Sequence, residues 1–159
     1  MTKYSYNEIS DFFISLSNDT QNLITNLKLQ KIMYYAQAWH LTITGERLFD
    51  GEFEAWVHGP VLTTLYNDYK GFGWHPIERE DLEEGSFNKL RNNIDLKTLE
   101  ILDEVIDEYF GLSAYELERL THSEDPWVKA RKGKLPDEPS QDIIKDEWMK
   151  DYYTKYLRN

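Results

Sequence analysis

The sequence predicts a mainly α fold: a compact single domain of six or seven helices around a central helix, with one small β-hairpin. Three observations lead there. Residues 27–45 are apolar on more than one side at helical spacing, the pattern of a helix surrounded by other elements. Helix-start signatures recur at Ser5, Asp95, Ser113 and Asp125-Pro126. Strand-like alternation is confined to the residues around Asp50-Gly51. The whole chain, residues 1–159, reads as one domain.

Ser5-Tyr6-Asn7-Glu8 has the form of a capping box, and Ile9, Phe12, Phe13 and Leu16 make the apolar stripe of a first helix that breaks at 18–20. The central helix follows. Leu29, Ile32, Met33, Ala36, Trp39, His40 and Ile43 form one stripe, and Leu27, Tyr34, Ala38 and Leu41 a second. Thr25 or Asn26 can cap its start, and Gly45 supplies the left-handed residue at its end. Asp50-Gly51 lies between two short apolar runs, so a hairpin turning there is expected, with Phe53, Ala55 and Val57 alternating along its second strand. His58-Gly59-Pro60 is read as ending that strand and opening a helix through Tyr69.

Residues 71–76 read as a loop, followed by five acidic residues between Glu78 and Glu84, and 85–93 also read as loop. Asp95 caps a helix through Phe110, with Leu99, Leu102, Val105, Ile106 and Tyr109 on its apolar side. Its other side carries Glu100, Asp103, Glu104, Asp107 and Glu108, with almost no lysine placed to pair them. Ser113-Ala114-Tyr115-Glu116 is a second capping box, Asp125 and Pro126 start another helix, and Ser140 opens the last. Lys129, Arg131, Lys132 and Lys134 form a local basic patch.

The formal charge of −11 and isoelectric point near 4.8 repel a phosphate backbone, so no direct nucleic-acid ligand is expected; a neutral or basic partner is favoured. The chain has no cysteine, which removes thiolate metal sites, disulfides and cysteine nucleophiles. No apolar run approaches the roughly 20 residues of a membrane span, and the N-terminus lacks a charged region followed by an apolar one. No membrane partner and a cytoplasmic location are the expectations. The aromatic share of 14% suits a core or an interface.

The sequence carries no catalytic pattern. The four histidines include no metal-binding pair. His122-x-Glu124 before Pro126 matches half of the zinc-deaminase signature, but the other half needs cysteines. Helix capping is the better account of Glu124 and Asp125. Gly71-Phe72-Gly73 has neither phosphate-loop nor dinucleotide spacing, and there is no G-x-S-x-G elbow. The chain is read as not an enzyme, with no cofactor and no metal. Two features stand above this background. At the junction 54–60, Trp56 either covers the outer side of the hairpin or joins His58 in a binding surface. The acidic side of the helix 95–110 is a solvated face or one that meets a basic partner.

Residues 28–40, KLQKIMYYAQAWH, resemble the opening stretch of the Panacea domain, also called the SocA-like antitoxin domain. Leu48-Phe49-Asp50, Glu54-Ala55-Trp56, Gly59-Pro60-Val61 and Tyr66 match further along, and residues 120–127 match the family's L-T-H-x-E-x-P-W. The resemblance implies an antitoxin of a bacterial or prophage toxin–antitoxin system that neutralises a cognate toxin by direct protein–protein binding. The alternative it implies is a proteolytic adaptor delivering the toxin to ClpXP. A small enzyme of a mobile-element pathway is a third reading, without support in the motifs. The family offers no catalytic residues. For the toxin-binding surface the expected residues are Trp56, His58 and Trp74, with Trp39 and Trp127 as core anchors and Gly59-Pro60 as a backbone junction.

Overall fold

Ser5 and Glu8 close the capping box that opens α1 (Tyr6–Thr20), each side chain bonding the other residue's backbone N–H. This computed structural model describes residues 2–157. α1 runs through Thr20, past the break expected at 18–20, because the Thr20 hydroxyl folds back onto the Leu16 carbonyl and Gln21 ends the helix in the left-handed region, φ 58°. Thr25 then caps α2 (Asn26–Thr44), and Gly45 closes it at φ 81°.

α2 is the axis of the molecule. Every residue from Lys28 to Ala38 is buried, and α1, the hairpin and helices from the rest of the chain pack around it. Burying a helix on all sides buries its polar residues too, and these must be satisfied. Gln30 accepts from the Leu62 N–H at 2.9 Å and donates to Asn26. Gln37 accepts from Leu48 N–H and donates to the Phe49 carbonyl. Lys28 Nζ donates to the Phe110 carbonyl at 2.6 Å. Lys28, Gln30 and Gln37 of the KLQK…Q stretch therefore bind backbone of the segments wrapped around the helix. Its last turn emerges from the core: Ile43 is exposed and His40 is half-buried.

The hairpin exists, but it does not turn at Asp50-Gly51. β1 (Phe53–Trp56) pairs antiparallel with β2 (Gly59–Leu62), Phe53 opposite Leu62 and Trp56 opposite Gly59, so the turn is Val57-His58. Phe49 instead bridges to Tyr4. Gly59-Pro60 is strand, not helix start. Pro60 faces Ala55, whose own N–H points the other way, to the Asp142 carbonyl. The pair is therefore a non-hydrogen-bonded one, and a residue without an N–H fits there. The other edge of β1 is covered by an extended segment in which Ile144 N–H meets the Phe53 carbonyl. That use of residues 142–144 delays the last helix from Ser140 to Asp146.

α3 (Thr63–Tyr69) and a short 3-10 turn follow β2. The loop after them is anchored to the start of α2, with Pro76 bridging Thr25 and Ile77 N–H bonding the Ile24 carbonyl. Residues expected to be loop form α4 (Ser86–Asn92). Its seven residues and uncapped Gly85 carry too little periodic signal, yet Phe87 and Leu90 pack onto the core and the helix lies against α1. Asp95 caps α5 (Leu96–Val105), whose axis continues through a wider π turn to Phe110. One member of its acidic side, Asp103, is held by Arg91 of α4 in a two-pronged pair at 2.7 and 3.1 Å. α6 (Ala114–His122) opens with the expected box at Ser113 and Glu116. α7 (Asp125–Ala130) starts one residue early, with Glu124 at the cap position. α8 (Asp146–Thr154) then lies along α2. The described residues thus hold eight α-helices and one two-stranded sheet, a mainly α fold with one more helix than expected, α4.

Candidate partner-binding surface

Trp56 and His58 stand at the turn end of the hairpin. The Trp56 indole N–H donates to Glu54 at 2.9 Å, and its ring meets Tyr66 of α3 edge-on at 4.9 Å. Its carbonyl accepts from the Trp127 indole at 2.8 Å. Half-buried, it covers the outer side of the hairpin while leaving part of its ring to solvent. His58 is exposed, with Nδ1 2.9 Å from a Glu118 carboxylate oxygen on α6. Trp74 projects from the loop after α3, 78% exposed, stacked on His75 at 4.2 Å. The structure joins Trp56 and His58 at one turn and puts Trp74 on a separate loop. Of the expected core anchors, Trp127 is buried and Trp39 half-buried, its indole donating to the Tyr109 hydroxyl at 2.8 Å.

Behind the Val57-His58 turn, residues of both motif stretches meet. Lys31 of α2 is fully buried, and its Nζ has no hydrogen-bond partner; nor has His122 Nε2. Burial pushes the Lys31 ammonium down to about 8 against a weaker upward pull from Glu118, and burial also lowers His122. Gly59 makes the turn fit over them. It sits at φ 112°, and a Cβ there would lie 2.6 Å from Lys31 Cε and 3.1 Å from Thr121 Oγ1. Gly59→Ala will therefore cost about 2 kcal/mol through strain and the displaced lysine, read as a lower urea midpoint at unchanged slope.

Deeper in, Glu124 accepts from the Tyr35 and Tyr153 hydroxyls, each at 2.7 Å, and the Tyr34 and Tyr153 hydroxyl oxygens lie 3.2 Å apart. Burial raises the Glu124 carboxyl above its ordinary range against the pull of the two hydroxyls, and it raises all three tyrosines. Tyr109 stacks on Tyr35 at 3.9 Å. Glu124 makes no capping bond; it is a core acceptor, which corrects the helix-cap reading. Arg131 is likewise no surface charge. It is 5% exposed and donates to the carbonyls of Ala55, Leu135 and Glu138. These groups are committed to one another inside the fold, and among the described residues no cluster of three or more His, Asp or Glu side chains is placed to hold a metal.

The open relief of the surface lies elsewhere, between the end of α1 and residues 75–88. Two shallow depressions of about 630 and 570 Å³ run together there, sharing Asn18 and Gln21. Leu23, His75 and Pro76 line one, Asp19 and Glu84 the other. Sequence reasoning did not find this groove. The acidic run 78–84 was visible, but its apposition to α1 depends on Arg79 bridging to Asp11 at 3.0 Å and on Asn18 bonding the Leu82 carbonyl.

Residues 29–128 match the family model described as Antitoxin SocA-like, Panacea domain. The chain belongs to this family. The matched segment runs from the first turn of α2 into α7 and so contains both motif stretches that meet behind the hairpin. Antitoxin SocA of Caulobacter vibrioides (strain NA1000 / CB15N) is 42% identical over 50 residues, which is 31% of this chain and 27% of that relative. The chain thus aligns with about a quarter of the curated relative's length. No solved structure matches it. No helix among the described residues is long and apolar enough to cross a membrane.

Proposed function

We propose that this chain is a single-domain, non-catalytic antitoxin that neutralises a cognate toxin by direct protein–protein contact in the cytoplasm. The observation that carries the reading is membership of the SocA-like antitoxin family over residues 29–128. The fate of the motif residues supports it. Gln30, Gln37, Tyr35, Glu124 and Trp127 hold the fold together from within, so the family signature describes a scaffold, and toxin contact falls to side chains left on the outside. Trp56, His58 and Trp74 are the aromatic residues proposed for that contact, because partly or fully exposed aromatic rings are the usual anchors of protein interfaces.

Co-expression with the toxin encoded beside it is the test. Growth is expected to recover, with the two proteins co-purifying at a fixed ratio. Persistent arrest despite soluble chain sinks the antitoxin reading. The same experiment in cells lacking ClpXP separates the mechanisms: protection that disappears there replaces neutralisation by binding with delivery to the protease.

A further inference from the structure

We infer that the groove between the end of α1 and residues 75–88 docks a basic segment of the toxin that inserts an apolar side chain beside Trp74. This rests on the antitoxin reading above and specifies where and how contact is made. Three independent features of the groove converge on such an occupant.

The first is apolar exposure. Trp74 and Leu23 are 78% and 57% exposed. Leu23, His75 and Pro76 line the same depression, and the Trp74 ring stacks on His75. Large apolar side chains gathered at one concavity mark a contact site more often than the same residues scattered singly.

The second is charge. Asp19, Glu78, Glu80, Glu83 and Glu84 line the two depressions, and none of them is in an ion pair among the described residues. Arg79, a cation of the same lining, is already held by Asp11, Asp81 and the Tyr69 hydroxyl. Five unneutralised carboxylates along the two depressions repel one another until a cation arrives, and they steer a basic partner inward. A second copy of this chain, at −11, brings the wrong sign.

The third is shape. The depressions are open and shallow, and Ile77 and Leu82, part of the buried core, pack beneath the one that Leu23 lines. Their floor is fixed while their rim is accessible, which suits a peptide segment with several side chains. The acidic side of α5 lines neither depression and makes the natural comparison.

The experiment measures toxin binding by calorimetry with the full chain, at low and high salt. Wild type is expected to bind, and more weakly as salt rises. Trp74→Ala should weaken binding about tenfold or more. The triple charge reversal Glu80→Lys/Glu83→Lys/Glu84→Lys should weaken it about a hundredfold and flatten the salt dependence. Melting points should stay near that of wild type, because these side chains are exposed and unpaired. Glu100→Lys/Glu104→Lys on α5 should leave affinity within about threefold of wild type.

Wild-type affinity in both groove variants overturns the groove assignment while leaving the antitoxin reading intact. Equal loss from the α5 variant also overturns it, since the effect would then follow net charge and not place. A groove variant that splits a homodimer without changing toxin affinity overturns it in favour of self-association. Failure of wild type to bind the toxin removes the antitoxin reading itself, and is distinct from all three.

Discussion

Arg131→Ala is expected to remove about 2–4 kcal/mol of stability, a large part of what a domain of this size holds. The guanidinium links three parts of the chain that share no helix or sheet. Nη1 donates to the Ala55 carbonyl of β1 at 2.9 Å, and Nη2 donates to the carbonyls of Leu135 and Glu138 at 3.0 and 2.6 Å. Its plane lies over the Trp127 ring, 5.0 Å from the centroid. Alanine leaves the buried Ala55 carbonyl without its donor, unties the exposed 135–138 loop from the core, and leaves a void beside the indole. Each unsatisfied buried acceptor costs about 1–3 kcal/mol. Lysine should recover little of the loss, since one ammonium cannot reach both β1 and the 135–138 loop with a rigid fork. Urea denaturation of the two variants checks this, and an alanine variant within about 1 kcal/mol of wild type refutes it.

Lys31→Met should act in the opposite direction, stabilising the protein by about 2–3 kcal/mol at pH 7. The Lys31 side chain is fully buried and its Nζ is unpartnered, so the charged form is held away from water without a compensating bond. The fall from 10.5 to about 8 corresponds to about 3 kcal/mol of penalty on that charge. The sign follows from proton counting. Between about 8 and 10.5 the unfolded chain holds a proton on Lys31 that the folded chain has released, so wild-type stability from this group rises with pH across that window. The penalty is fully present below about 8. The advantage of Lys31→Met should therefore be largest at neutral pH and shrink as pH rises towards 10.5. Methionine is close in length and flexible enough to occupy the same channel under Gly59. A variant less stable than wild type at pH 7 would show that Nζ is engaged by a polar partner after all.

These two residues mark the limit of what could be read in the sequence. The central helix was legible because burial on all sides leaves a two-stripe pattern that no other element shows. Both capping boxes and the Asp95 cap were legible because their chemistry is local, within three residues. The strand pairing was not. Asp50-Gly51 is a strong local turn signal, and it lost to pairing of β1 with Gly59–Leu62, which depends on Gln30 receiving the Leu62 N–H and on residues 142–144 covering the far edge. Arg131 and Glu124 look like surface letters in a basic patch and a helix cap. Their burial follows from the Ala55 carbonyl and the Tyr35 and Tyr153 hydroxyls, all supplied by segments tens of residues away. Trp74 was legible as an exposed aromatic in a loop, but the groove beside it needs two distant segments brought together.

The covering of β1 by residues 142–144 has a consequence for how the protein comes into being. A ribosome releases the chain from its N-terminus, so α2 and the hairpin emerge well before the segment that completes them. Until residue 144 is out, β1 presents open backbone groups along one edge, and until Tyr153 follows, Glu124 lacks one of its two donors. The nascent chain therefore passes through a stage with an unpaired strand edge and a half-satisfied buried acid, the condition in which unfinished chains stick to one another. Residues 142–153 act as a latch, closing the edge of β1 and completing the bonds to Glu124.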